Sequence, residues 1–181
     1  MVLGGLVTIA LIAVVWVSVA DRNRVGPSGS AAVSENSGGS AGSGYGVAIR
    51  KLAEQVNGPG ELPVIYVLER TCPDVMSAPS VDTDCDKPIP AAVRRDLTAA
   101  LKSFSRVEFV RTAAEVTGPD LEIVHGGVLT MLGQARFSGE TAEVPLAVRK
   151  GGLNGQGLTY RLSYRDGRWQ VTGNTGSAWI S

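Results

Sequence analysis

A charge-free run directly after the first methionine limits what the N-terminus of this chain can be. Residues 2–20 have the sequence VLGGLVTIALIAVVWVSVA. A helix rises about 1.5 Å per residue, so this run is long enough to cross a hydrocarbon core of about 30 Å. It predicts a transmembrane anchor over residues 1–21. A cleaved signal is an alternative, since Ser18-Val19-Ala20 fits the small-residue pattern before a cleavage site, and a buried core helix is another.

The charged residues beside this run favour one orientation of the chain in the membrane, and the rest of the sequence indicates the other. Arg22 and Arg24 follow the run and only Met1 precedes it, so the positive-inside rule alone places the C-terminal part in the cytoplasm. Two arginines are a small asymmetry, and the downstream features are typical of exported proteins. We therefore predict a single-pass cell-membrane protein with its C-terminal domain outside the cytoplasm, or a secreted domain if the run is cleaved.

Composition divides the rest of the chain into a linker and one domain. Residues 22–44 are rich in Gly and Ser, and such a segment cannot bury enough apolar surface to offset the entropy lost on ordering. We predict a flexible linker there and an α+β domain over residues 45–181, which is long enough for a core. Lys+Arg and Asp+Glu both total 17, so the balanced charge gives no basis for nucleic-acid binding.

Apolar periodicity within residues 45–181 predicts two helices and several strands. One helix begins near Tyr45 and ends at the NGPG of residues 57–60; another runs from Pro90 to about Phe104. Strands are predicted at 63–68, 106–110, 127–133 and 142–148, and Pro145 indicates an edge position or a bulge in the last of these. The Gly-rich 151–157 is predicted to connect two strands. The fold class is α+β: two helices packed on a mostly antiparallel twisted sheet that ends in a β-meander, preceded by the transmembrane helix.

The segment LTYRLSYRDGRWQV at residues 158–171 predicts a β-hairpin. Asp166-Gly167 is the preferred pair for a two-residue type I′ turn, in which both positions need positive φ. The resulting register places Tyr164 opposite Trp169 and Leu162 opposite Val171, all on one side.

Cys72 and Cys85 are the two cysteines of the chain, and their spacing excludes a C-x-x-C redox motif. In an exported domain we predict a disulfide bond that closes a solvated loop; free thiols are expected if the domain is cytoplasmic.

Metal binding is the other interpretation of this segment. The chain offers too few Cys and His ligands for a zinc site, because His125 is its only histidine. Asp82, Asp84 and Asp86 match the start of a calcium loop, but Lys87 and Val93 occupy the Gly and Glu positions, so calcium is the weaker interpretation.

Few residues are candidates for chemistry, and we predict no catalytic, cofactor-binding or metal-binding residue. His125 is either a structural residue at a strand end or, with Glu122 or Asp120, an acid or base in a pocket. Trp169 and Trp179 either line a pocket or close the core, and the hairpin register favours the core for Trp169.

The segments that carry a resemblance are the hairpin with the terminal GNTGSAWIS, PVIYVLE and YGVAIRKLA. In them the chain is similar to a set of small exported or membrane-anchored proteins of high-GC Gram-positive bacteria. More loosely, D-G-x-W-x-V resembles the closing strands of NTF2-like (SnoaL-like) domains. That second resemblance implies a curved sheet with helices around a cavity and carries over no catalytic residue.

Three functions are compatible with these features. The first is a membrane-tethered extracytoplasmic domain, without enzymatic activity, that binds an envelope protein or another envelope component or assists one. The second is an NTF2-like cavity domain that binds a small apolar ligand, with weak enzymatic activity as an option. The third is a calcium-stabilised adhesion module. The enzymatic version of the second function requires a pocket that is lined by the meander and contains His125.

Overall fold

The computed structural model describes residues 39–58, 60, 62–76, 85–152 and 154–181. The predicted anchor, the linker up to residue 38 and the calcium candidates Asp82 and Asp84 lie outside this part, so those predictions remain predictions. Among the described residues, no helix combines the length and the apolar character needed to cross a membrane.

The described part contains two α-helices and eight strands, which confirms the predicted α+β class with a closing β-meander. Two 3₁₀ turns, Ala113–Glu115 and Val124–Gly126, precede the fourth strand. The elements are α1 (Ala41–Asn57), β1 (Val64–Cys72), β2 (Lys87–Pro88), α2 (Ala91–Leu101), β3 (Arg106–Val110), β4 (Val128–Gly133), β5 (Arg136–Ser138), β6 (Thr141–Gly151), β7 (Asn154–Arg165) and β8 (Arg168–Ile180).

All eight strands belong to one sheet with the order β2-β1-β4-β6-β7-β8. β3 also pairs with β1, and β5 pairs with β6 beyond the end of β4. β1 runs parallel to both β3 and β4, whereas the remaining described pairs are antiparallel. This internal position explains why Val64–Leu68 is an uninterrupted apolar run that is buried on both faces, as predicted.

The two faces of the sheet are covered differently. The helices pack on one face over the main core, which includes Ile49, Ile65, Leu146 and Trp169. On the other face, the segment 111–127 covers a smaller cluster around Tyr66 on β1 and β4. Ala147 of β6 belongs to this cluster, and Trp179 of β8 packs against it. Further along the strands, the outward side chains around Glu143 and Arg161 lie outside the cluster and are at least partly accessible among the described residues.

The predicted hairpin is confirmed in turn type and in register. Asp166 and Gly167 have φ values of 52° and 74°, as a type I′ turn requires. Tyr164 lies opposite Trp169, and Leu162 lies opposite Val171. The turn chemistry and the apolar alternation both specify this pairing, so the sequence alone fixes it.

Helix α1 begins at Ala41, earlier than the position near Tyr45 that composition predicts. Ser40 is the N-cap, and its hydroxyl accepts a hydrogen bond from the Ser43 N–H at 3.3 Å. Gly42, which the composition assigned to the linker, is a packing position, because a side chain there would collide with α2. Gly46, within the predicted domain, meets α2 in the same way. Small residues on this face let the two helices approach closely, and a composition-based argument cannot detect that role.

The expectation for Pro145 is met only locally: β6 is an internal strand and pairs regularly with β7 at this position, so it has no bulge there. The irregularity lies in the neighbouring strands: β4 pairs with residues 146–149 and β5 with 141–143, so Pro145 falls at the gap between them. Tyr45 of α1 bridges this gap. Its hydroxyl donates to the Gly133 carbonyl at 2.9 Å and accepts from the Ala135 N–H at 3.1 Å. Burial raises the pKa of this phenol, which keeps it a donor.

Replacing Tyr45 by Phe should destabilise the domain by about 1–3 kcal/mol, because two buried backbone groups at the gap lose their partner. Tyr164→Phe is the matched control, since the Tyr164 ring packs on Trp169 but its hydroxyl bonds to no described residue. The measurement is urea unfolding of both variants. Equal stability of the two would contradict the bridging role of Tyr45.

The alkaline side of the stability profile should depend on Tyr160, whose hydroxyl donates to Gln55 Oε1 at 2.6 Å. Burial, followed by the Glu54 carboxylate, raises the pKa of Tyr160 to about 12. Above pH 10 the unfolded chain loses this proton while the folded chain keeps it, so stability should fall between pH 10 and 12 by roughly 1–3 kcal/mol. In Tyr160→Phe this part of the slope should vanish. An unchanged slope in urea unfolding across that range would refute the assignment.

Candidate functional site

Cys72 and Cys85 form a disulfide bond, as predicted. Cys72 is the last residue of β1 and is buried, and Cys85 lies just before β2. Because both sulfurs are used in this bond, neither is a thiolate ligand for zinc. No group of three or more His, Cys, Asp or Glu residues in the described ranges could hold a metal ion. The disulfide bond closes a covalent ring that leaves the sheet at the end of β1 and returns just before β2.

The first residues of this ring form one wall of a groove on the uncovered part of the second face. The groove has a volume of about 600 Å³ and is bordered by Pro73–Met76 from the ring and by outward side chains of the meander. A second groove of about 520 Å³ lies further along β5, β6 and β7. The two grooves share Arg136 and Glu143.

We call the surface that carries both grooves the open face. It consists of outward side chains from four strands, and none of its side chains points into the core under the helices. Its members are Arg136, Ser138, Thr141, Glu143, Thr159, Arg161, Ser163, Arg165 and Thr175.

A row of three charged side chains crosses the open face. Arg136 lies opposite Glu143 on β6, and Glu143 lies opposite Arg161 on β7. Among the described residues no ion pair involves any of the three. Arg161 Nη2 makes one long hydrogen bond, to the Asn174 carbonyl at 3.5 Å. The guanidinium groups therefore keep most of their donors available.

Arg165 extends this row along β7 toward the hairpin turn. Its Nε donates to Ser163 Oγ at 3.3 Å, and Arg168 lies directly opposite on β8. Like charges that face each other in this way destabilise a hairpin modestly. An anion placed between them would remove that repulsion.

His125 lies away from both grooves, at the covered end of the sheet. Its backbone is left-handed, with φ 57°, and its side chain is exposed. Nδ1 and the Tyr66 hydroxyl share a hydrogen bond of 2.8 Å. Burial, and then the charge of Glu108, raise the pKa of Tyr66. Asp120 and Glu122 are also exposed, and the Glu122 carboxylate lies against Gly151.

This arrangement does not give the pocket that the enzymatic alternative requires. Neither of the two grooves on the meander contains His125, Glu122 or Asp120. The histidine instead supplies a partner for a buried phenol, which is the structural role favoured by its position near a strand end.

The two tryptophans lie on opposite faces of the sheet. Trp169 is buried in the main core, packs edge-on against Phe137 and Tyr164, and donates from Nε1 to the Ser40 carbonyl at 3.2 Å. Trp179 is half-buried on the other face, where its indole lies over Gly155 and Gly157. The Gly-rich 151–157 thus contains the β6–β7 connection and, in Gly155 and Gly157, positions kept small for an aromatic ring.

Sequence reasoning missed Arg136 and Glu143. The alternation that puts Leu162 and Tyr164 on one side of the hairpin puts Arg161, Ser163 and Arg165 on the other. Arg136 joins them only through its pairing with β6, which sequence spacing does not show. A polar outward side is also the ordinary pattern of a solvated strand, so alternation alone did not mark this face as functional.

Comparison with known proteins gives no further assignment: no protein-family model, no curated protein and no solved structure matches the chain. The open face and the Tyr66–His125 pair therefore have to be interpreted from their own geometry.

If His125 is a hydrogen-bond partner for the buried Tyr66 hydroxyl, mutation of the two residues should lower the stability of the domain by different amounts. His125→Ala leaves the buried Tyr66 hydroxyl without its partner and should cost about 1–3 kcal/mol. Tyr66→Phe removes the buried hydroxyl and leaves an exposed imidazole that water can solvate, so its cost should be smaller. Urea unfolding of both variants is the measurement, and a larger loss for Tyr66→Phe would contradict the structural role of His125.

Proposed function

We propose that this chain is a membrane-tethered extracytoplasmic binding module and that the open face is its binding surface. In this proposal residues 2–20 hold the chain at the membrane. The domain has no enzymatic activity, and its ligand is a component of the cell envelope. The resemblance to small exported proteins of high-GC Gram-positive bacteria is consistent with this location but assigns no ligand.

One observation carries the proposal: the disulfide-closed ring is also a wall of the first groove. A disulfide persists in oxidising compartments and is rare in the cytosol. Cys72 anchors the ring at the end of β1, directly before the wall residues Pro73–Met76. The bond that indicates an exported domain therefore also anchors one wall of the first groove.

The composition of the open face supports binding rather than catalysis. Arginines, hydroxyl side chains and one carboxylate line the second groove, all of them on paired strands. Rigid strands hold side chains at fixed spacing, which suits recognition of an extended ligand. The histidine that could act as an acid or base lies outside both grooves.

The predicted tether sets where such a ligand would be found. A flexible segment of roughly 20 residues has an average span of about 25 Å. The domain would therefore stay within a short distance of the outer surface of the cell membrane, where envelope polymers and envelope proteins are concentrated. This position raises the local concentration of such ligands around the open face.

The proposed location can be tested with a reporter fused to the C-terminus that is active only outside the cytoplasm. We expect an active reporter, and we expect Cys72 and Cys85 of the native protein to resist a thiol probe until a reductant is added. Deletion of residues 2–20 should abolish both results and serves as the control. An inactive reporter, or labelling of both cysteines without reductant, would overturn the proposal.

A further inference from the structure

We infer that the second groove binds an anionic polysaccharide chain. This inference rests on the proposed function and names the ligand class of the same surface. The three arginines that line the groove, its hydroxyl side chains and its shape each contribute a separate argument.

The charge of the second groove is strongly unbalanced although the whole chain is neutral. Arg136, Arg161 and Arg165 line it together with a single carboxylate, Glu143. The whole sequence has equal numbers of acidic and basic residues, so the excess of positive charge is local. Glu143, which lies opposite both Arg136 and Arg161, offsets part of this charge. No described carboxylate forms an ion pair with these arginines, so the described lining keeps an excess of positive charge that an anionic ligand can balance.

The spacing of the three arginines favours a chain over a single small anion. Neighbouring strands lie about 4.8 Å apart, so Arg136 and Arg161, with β6 between them, are about 10 Å apart at the backbone. Arg161 and Arg165 are four residues apart on one strand, which is about 13 Å. A polymer with a charge on each repeat can meet guanidinium groups based at these separations one after another along its length.

The remaining polar side chains favour a carbohydrate among anionic polymers. Ser138, Thr141, Ser163 and Thr172 line the groove between the arginines. The Thr141 hydroxyl donates to the Ser138 carbonyl, and the Thr172 hydroxyl donates to the Arg161 carbonyl, so these two oxygens offer acceptor capacity to a ligand. The Ser163 hydroxyl accepts from Arg165 Nε and can still donate, which matches the hydroxyl groups of a sugar. An acidic peptide would satisfy its backbone by pairing with a strand edge, but this groove crosses the faces of paired strands. A lipid surface is flat and would contact the rim of a concave groove rather than its floor.

The test measures binding by the full-length chain in nonionic detergent micelles, using isothermal titration calorimetry. The probe is a galacturonic acid decasaccharide, which carries one carboxylate per sugar, and the neutral control is a maltodecaose. We expect the charged oligomer to bind at low ionic strength and to weaken as salt is added, and the neutral oligomer to bind at least about tenfold more weakly.

Substitutions of the arginines and of the glutamate in this row should change the affinity for the decasaccharide in opposite directions. Arg136→Gln and Arg161→Gln should each weaken binding of the decasaccharide by about threefold to fivefold, the range of one exposed ion pair. Glu143→Gln should tighten it by a similar factor, because a like charge is removed from the path of the ligand. Arg95→Gln is the matched control: Arg95 is an exposed arginine on α2, on the far side of the sheet, and its loss should leave affinity unchanged.

Three results would overturn the inference. One is equal binding of maltodecaose. Another is tighter binding of poly-glutamate of the same charge, or of phosphatidylglycerol vesicles, with the same dependence on Arg161. The third is an equal effect of Arg95→Gln and Arg161→Gln. If none of the probes binds while the C-terminal reporter is active outside the cytoplasm, this ligand class is wrong and the proposed location stands; an inactive reporter removes the proposed function itself.

Discussion

The sheet has two faces, and among the described residues they are covered by different elements and to a different extent. Helices α1 and α2 cover one face over its full core. The segment 111–127, with Val75 and Ala147, forms the cluster over β1 and β4 on the other face. The outward side chains of β6 and β7 around Glu143 and Arg161 lie outside that cluster. Alternation along β6 and β7 follows from this division, since apolar residues point to the helices and polar residues point outward. The grooves, the row of charges and the proposed ligand all depend on that uncovered part of the face.

What could be predicted from the sequence is what local chemistry decides. The Asp166-Gly167 turn and the apolar alternation around it specify one register without help from other elements. The run at residues 63–68 predicts a strand buried on both faces, because no other short element is uniformly apolar. Helix α2 begins after Pro90 and buries Leu97 and Leu101, as its periodicity indicates.

What could not be predicted depends on partners distant in sequence. Gly42 lies in a segment with the composition of a linker, and its packing role follows only when α2 is placed against it. Pro145 is tolerated inside the sheet because β4 ends where β5 has not begun, and Tyr45, about ninety residues earlier, supplies the missing bonds. The site shows the same limit: His125 and the tryptophans were selected for their chemical type, whereas the row of Arg136, Glu143 and Arg161 arises from strand pairing.

The central claim is that the open face is the functional surface. It is tested most directly by recording the arginine Nε–Hε resonances of the full-length chain by NMR during titration with an anionic oligosaccharide. The account predicts saturable shifts for Arg136, Arg161 and Arg165, with no shift for Arg50 on α1, which is paired with Glu54. Shifts confined to the helix arginines would place the functional surface elsewhere and contradict the account.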